Sequence, residues 1–112
     1  MDILFKTTKL EKQCNSRKLL DKKYGSRRAA LIQRRLDELW AATSLQEIGY
    51  LPQARCHELK GNLAGTLSVD LEHPYRLLFR PAHKPIPKKT SGGLDWAMVT
   101  AIEILGVEDT HG

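Results

Sequence analysis

An α+β fold is predicted by three features of this 112-residue chain. The first part is rich in Lys, Leu, Ala and Glu at helical spacing, the second part breaks into short runs set off by Gly and Pro, and Gly65–Leu71 alternates apolar and polar residues one by one. Helices gathered at one end and antiparallel strands at the other bury their apolar faces when a helical hairpin covers one side of a small curved sheet. At this length one domain spanning residues 1–112 is expected.

Ile3-Leu4-Phe5 opens the chain as a short strand. Residues 9–23 lack Gly and Pro and predict a helix, with Leu10, Cys14, Leu20 and Tyr24 roughly on one face and Leu19 out of phase. Gly25 supplies a stop and Ser26 an N-cap. From Arg27 to about Ala42 a stripe of Ala29, Ile32, Leu36, Leu39 and Trp40 predicts the strongest helix, with Arg28, Arg35 and Glu38 off the stripe. A short turn over Leu45–Ile48 closes at Gly49 and Pro52. Arg55–Lys60, Gly65–Leu71, Tyr75–Arg80 and Trp96–Leu105 then read as the strands of an antiparallel meander. The Pro- and Lys-rich stretch from Ala82 to Asp95 reads as a surface loop between paired strands.

Composition narrows the classes of function. Hydrophobic residues form 41% and charged residues 28% of the chain, as in a folded domain rather than a disordered one. No apolar run is long enough for a membrane span, and the first residues do not read as a secretory signal, so a cytoplasmic protein is expected. Cys14 and Cys56 have no C-x-x-C spacing and fit buried thiols in a reducing compartment. The net charge of +5 is unevenly spread: residues 1–40 hold eleven Lys or Arg against five Asp or Glu, and the remainder is nearly balanced. Two readings stay open, a solvated helical surface and a basic face for nucleic acid or an acidic protein.

The candidate chemistry is polar and basic. His57, His73, His83 and His111 form no metal-ligand spacing, and no phosphate-binding glycine loop or nucleophile elbow occurs. No cofactor is expected. Arg55 and His57 share a strand face by the two-residue period, as do Arg76 and Arg80, while Asp109 and His111 follow the last strand. A histidine able to move protons near neutrality and an arginine able to hold phosphate are what metal-free RNA cleavage requires. Trp40, Phe79 and Trp96 read as core.

A resemblance sharpens this reading. Arg55-Cys56-His57-Glu58-Leu59-Lys60-Gly61, Leu63-Ala64-Gly65-Thr66-Leu67-Ser68-Val69 and Tyr75-Arg76-Leu77-Leu78-Phe79-Arg80 resemble, in order and spacing, the H-x-L-K-G, G-x-x-S-V and R-L-x-F elements of RelE/HigB toxins. Ile104 to His111 is similar to that family's closing I-x-D-Y-H segment, with Thr110 where the family carries tyrosine. The resemblance covers roughly residues 50–112 by motif. It implies a RelE-like fold and a ribosome-dependent mRNA endonuclease of a type II toxin–antitoxin system. By the same resemblance His57, Arg76, Asp109 and His111 are the catalytic positions, while Arg55, Lys60 and Arg80, basic groups on strands or at a strand end, are the expected RNA contacts. The implied partners are a cognate HigA-like antitoxin with a helix-turn-helix domain, the ribosome and mRNA, and operator DNA only through the antitoxin. A toxin of the same fold acting on another target, such as a topoisomerase, and a binding module without chemistry are the alternatives.

Overall fold

The computed structural model describes residues 1–109 and has the expected α+β architecture, with four helices and a five-stranded sheet in the order β1-β7-β4-β3-β2. Strand β1 is Asp2–Phe5, helix α1 Thr8–Cys14, α2 Arg17–Tyr24, α3 Ser26–Ala41 and α4 Leu45–Gly49. Strands β2 (His57–Glu58), β3 (Leu67–Asp70), β4 (Tyr75–Pro81), β5 (Lys88–Lys89), β6 (Gly92–Leu94) and β7 (Ala101–Asp109) follow, with 3₁₀ turns at Gly61–Leu63 and Trp96–Met98.

The sheet is mixed where an antiparallel one was expected. Strand β1 runs parallel to β7, from Asp2 opposite Ala101 to Phe5 opposite Ile104, while β2, β3, β4 and β7 pair antiparallel. The chain between β1 and β7 crosses to the far edge and back, a connection long enough to join parallel strands.

The expected helix over 9–23 is two helices. Ser16 Oγ accepts from Leu19 N at 3.2 Å, so the serine starts a new helix instead of continuing the old one. Thr7 caps α1 in the same way, through Leu10 N at 3.1 Å. Gly25 rather than Ser26 is the N-cap of α3, with φ of 81°, a backbone region that glycine enters without steric cost. In α3 the buried residues are Ala29, Ile32, Arg35 and Leu39, so the stripe is rotated toward Arg35. Trp40 is 67% exposed, contrary to the expected core role, and Trp96 is half-buried.

The second half holds further corrections. Strand Arg55–Lys60 contracts to His57–Glu58, because Arg55 has φ of 43° and cannot be extended there. Trp96–Met98 is a 3₁₀ turn before β7, and the 82–95 loop contains the β5–β6 hairpin. In the register of β4 on β7, Leu78 faces Gly106 and Phe79 faces Ile104, which leaves Leu105 as an extra bulged residue. Gly106, at φ of 145°, permits this geometry.

Leu20, Ala29, Ile32 and Leu39 from the helices pack with Leu67, Val69, Leu77, Phe79, Ile102 and Ile104 from the sheet. Burying such side chains stabilises the fold by roughly 1.5–3 kcal/mol each. Both cysteines are half-buried. Burial pushes the Cys14 thiol up to about 11, opposed by nearby Lys23, and the Cys56 thiol to about 12, helped by the Glu58 carboxylate. A thiol that ionises later in the folded chain than in the unfolded one stabilises the fold below its ordinary value, and that stabilisation is lost as pH rises above it. Stability is therefore expected to fall between about pH 9 and 12, and Cys56→Ala should flatten that decline in denaturant titrations. An unchanged pH slope in the variant contradicts this.

Candidate active site

The helices cover one face of the sheet, and the other carries mostly polar residues, with Ser68 and Leu78 buried among them. Leu67, Val69, Leu77 and Phe79 point to the helical core, so Ser68, Asp70, Arg76, Leu78 and Arg80 take the opposite face by the two-residue period. Cross-strand register arranges that face in rows. His57 faces Ser68, which faces Leu78, and Asp70 faces Arg76, which faces Glu108.

His57 and Arg76 meet directly, with Arg76 Nη1 3.1 Å from His57 Nε2. On its other side, His57 Nδ1 lies 3.0 Å from the Arg55 carbonyl oxygen. One tautomer satisfies both contacts: the Nδ1–H donates to the carbonyl, and the Nε2 lone pair accepts from the guanidinium. The ring is thus fixed with a basic nitrogen beside a permanent cation. Asp70 adds a carboxylate, with Oδ1 3.5 Å from Arg76 Nε and Oδ2 3.5 Å from Arg55 Nε. Asp70 Oδ1 and Ser68 Oγ are buried without a hydrogen-bond partner among the described residues.

A buried arginine holds this arrangement from behind. Arg35 Nε donates to the Asp70 carbonyl at 2.7 Å, Nη2 to the Gln53 carbonyl at 3.0 Å, and Nη1 to Glu38 Oε1 at 3.0 Å. Asp70 N in turn donates to the Ala54 carbonyl at 2.8 Å. The segment carrying Arg55 and His57 is thereby pinned to β3. Burial, helped by the Glu58 carboxylate, keeps the thiol of Cys56, between them, protonated well above neutral pH.

The other expected site residues are placed differently. Arg80 lies on the same face as Arg76 but is ion-paired with Glu103, through Nε and Nη2 each 2.6 Å from Oε1. Lys60 is exposed just before the Gly61–Leu63 turn. Asp109 faces Tyr75, one register position beyond Glu108, so the bulge at Leu105 puts it out of phase with Arg76. His111 and Thr110 lie outside the described residues. Of the α3 arginines in the basic first 40 residues, Arg35 is buried and Arg28 is bound to Glu72 at 2.7 Å, while Arg27 and Arg34 stay exposed.

Asp70, Ser68 and Arg35 were not expected at the site. The phase of Ser68 and Asp70 opposite Leu67 and Val69 is a signal for the first two, and the sequence carries none for Arg35. Among the described residues no three His, Cys, Asp or Glu side chains converge as metal ligands.

A helix layer thus covers one sheet face, and a histidine–arginine pair lies on the other. Among solved structures the chain is similar to the YoeB/ParE toxin from Agrobacterium tumefaciens, with a TM-score of 0.56 and 11% identity over 99% of this chain and 100% of that one. At that identity the likeness is one of fold. No family model and no curated protein matches the sequence.

Proposed function

We propose that the chain is the toxin component of a toxin–antitoxin system and a metal-independent endoribonuclease that cuts mRNA on the ribosome. The observation that carries this reading is the contact of His57 Nε2 with Arg76 on the face left open by the helices. The likeness in fold to a YoeB/ParE toxin supports the toxin class.

In the proposed reaction a phosphate of the substrate takes the place of His57 as the partner of Arg76. The freed Nε2 accepts the proton of the 2′-OH, whose oxygen forms a bond to phosphorus. The bond from phosphorus to the 5′-oxygen breaks, and that oxygen takes a proton from an acid, a role for which His111 is the candidate. The products are a 2′,3′-cyclic phosphate and a 5′-hydroxyl. Arg76 stabilises the negative charge that accumulates on the phosphoryl oxygens. Arg55 and Lys60 are proposed RNA contacts, and Arg80 is a lesser one because Glu103 already neutralises it. Asp109 would orient His111 or touch RNA from the sheet end. A HigA-like antitoxin is the proposed protein partner, with operator DNA bound through it.

One observation favours a second reading, a toxin of this fold that binds another target without cleaving RNA. Asp109 is out of phase with the His57–Arg76 pair. Mapping mRNA ends by primer extension after incubation with the protein, with and without ribosomes, separates the two. Discrete ribosome-dependent cuts support the nuclease, and intact mRNA under both conditions defeats it.

A further inference from the structure

At the end of the sheet where β3 turns into β4, a cavity of about 110 Å³ adjoins the proposed cleavage site and shares Arg76 with it. Arg55, Asp70, Leu71, His73, Pro74, Tyr75 and Arg76 wall it, with His57 outside. Two guanidiniums from separate elements converge there on one carboxylate, each 3.5 Å from a different oxygen of Asp70. The contact of Arg76 with Oδ1 lacks hydrogen-bond geometry, so this ion pair is loose. Arg55 is 68% exposed at its side chain, which leaves most of its donors available to a ligand. Tyr75 is fixed from behind by Arg28, whose guanidinium sits 3.5 Å from the ring centroid and whose charge is met by Glu72 at 2.7 Å. Arg28 thus shapes the wall without adding free charge, and the group of Arg55, Arg76 and Asp70 carries a net charge of about +1.

We propose that this cavity binds an internal phosphodiester of a single-stranded RNA, next to the phosphate that is cut, and that Asp70 sets its affinity by competing for the two arginines. The choice of RNA and the neighbouring phosphate rest on the nuclease reading. A phosphodiester carries one negative charge and matches the net charge of the group, whereas a terminal or free phosphate carries about 1.5–2 near neutral pH. A bound diester draws Arg55 and Arg76 off the carboxylate, and when it leaves the carboxylate takes both back. Asp70 therefore keeps binding reversible, as a site that must release its product requires.

The test is fluorescence anisotropy of a labelled ten-nucleotide 2′-O-methyl RNA, which has no free 2′-OH to react, titrated with the full chain over a series of salt concentrations. Arg55→Ala should weaken binding ~10-fold, the scale of a lost charged hydrogen bond. It should also reduce the slope of log K against log salt by about 0.7, the value for one phosphate contact on a single strand. Asp70→Asn should tighten binding by about 5–10-fold, as expected when a nearby opposing charge is removed. Inorganic phosphate at matched ionic strength should not compete, and competition would overturn the phosphodiester assignment. Wild-type affinity and slope in Arg55→Ala, or weaker binding in folded Asp70→Asn, overturns the site. If Asp70→Asn fails to fold, Arg55→Ala decides alone, since its exposed side chain supports no core packing. Shifted binding without any ribosome-dependent cleavage leaves the site standing and removes only the nuclease reading. Intact cleavage with unshifted binding does the reverse.

Discussion

Alanine at His57 or at Arg76 is expected to lower cleavage of ribosome-bound mRNA by ~10²–10⁴-fold while the chain remains folded, the usual effect of losing a proton-transfer or charge-stabilising group. The two losses have different causes. On the proposed mechanism, His57→Ala removes the nitrogen that accepts the 2′-OH proton, and water offers no base fixed at that place. Arg76→Ala leaves the proposed base but removes the cation proposed to meet the charge developing on the phosphate, and it frees Asp70 to repel that phosphate. Arg76→Lys should recover only part of the activity, because an ammonium cannot reproduce the fork that reaches His57 and Asp70 together. Single-turnover cleavage rates, with circular dichroism to confirm folding, check this. Rates within threefold of wild type in both folded alanine variants would contradict the assignment of both residues.

Arg35→Ala is expected to destabilise the fold by about 3–5 kcal/mol, the cost of removing one partner from a buried ion pair. Glu38 loses its counter-charge, and the carbonyls of Asp70 and Gln53 lose their donor. In a chain of this size that lowers the melting temperature by roughly 10–20 °C. Arg35→Met keeps the length of the side chain but not its donors, and it should recover only the packing share of the loss. Arg34→Ala, one residue away and exposed, should change stability by no more than ~0.5 kcal/mol. Thermal melts of the three variants check the contrast, and equal melting of Arg34→Ala and Arg35→Ala would contradict it. The result also bears on the site, since Arg35 ties the Arg55–His57 segment to β3.

Much of the fold was legible because its strongest signals are local. Alternation of Leu67 and Val69 marks the face of β3 turned to the helices, although Ser68 between them is buried as well, and Gly25 marks the break between α2 and α3. The parallel pairing of β1 was not legible, since it depends on where the chain returns rather than on any residue of Asp2–Phe5. Arg35 misled because an arginine on a helix reads as solvent-facing, and only the tertiary fold supplies the carbonyls that make its burial tolerable. At the site, His57 and Arg76 were singled out by residue type and motif, but their contact depends on strand pairing that no residue announces. Asp109 did not follow, because a single extra residue at Leu105 reverses the phase of everything after it in β7, and a bulge leaves little trace in sequence. The same reversal brings Glu108 opposite Arg76. Asp70 was in view as the polar half of an alternating strand, but its role emerged only when Arg55 and Arg76 were found on either side of its carboxylate.

The central claim is that the chain breaks RNA by directing the 2′-OH onto the adjacent phosphate. Its most direct test is a ribosome-bound mRNA carrying a single 2′-deoxy nucleotide immediately 5′ of the mapped cleavage point. Loss of cleavage at that position, with the unmodified message giving a 2′,3′-cyclic phosphate and a 5′-hydroxyl, is the predicted result. Cleavage of the 2′-deoxy message at the same position and rate, or products bearing a 5′-phosphate, would contradict it.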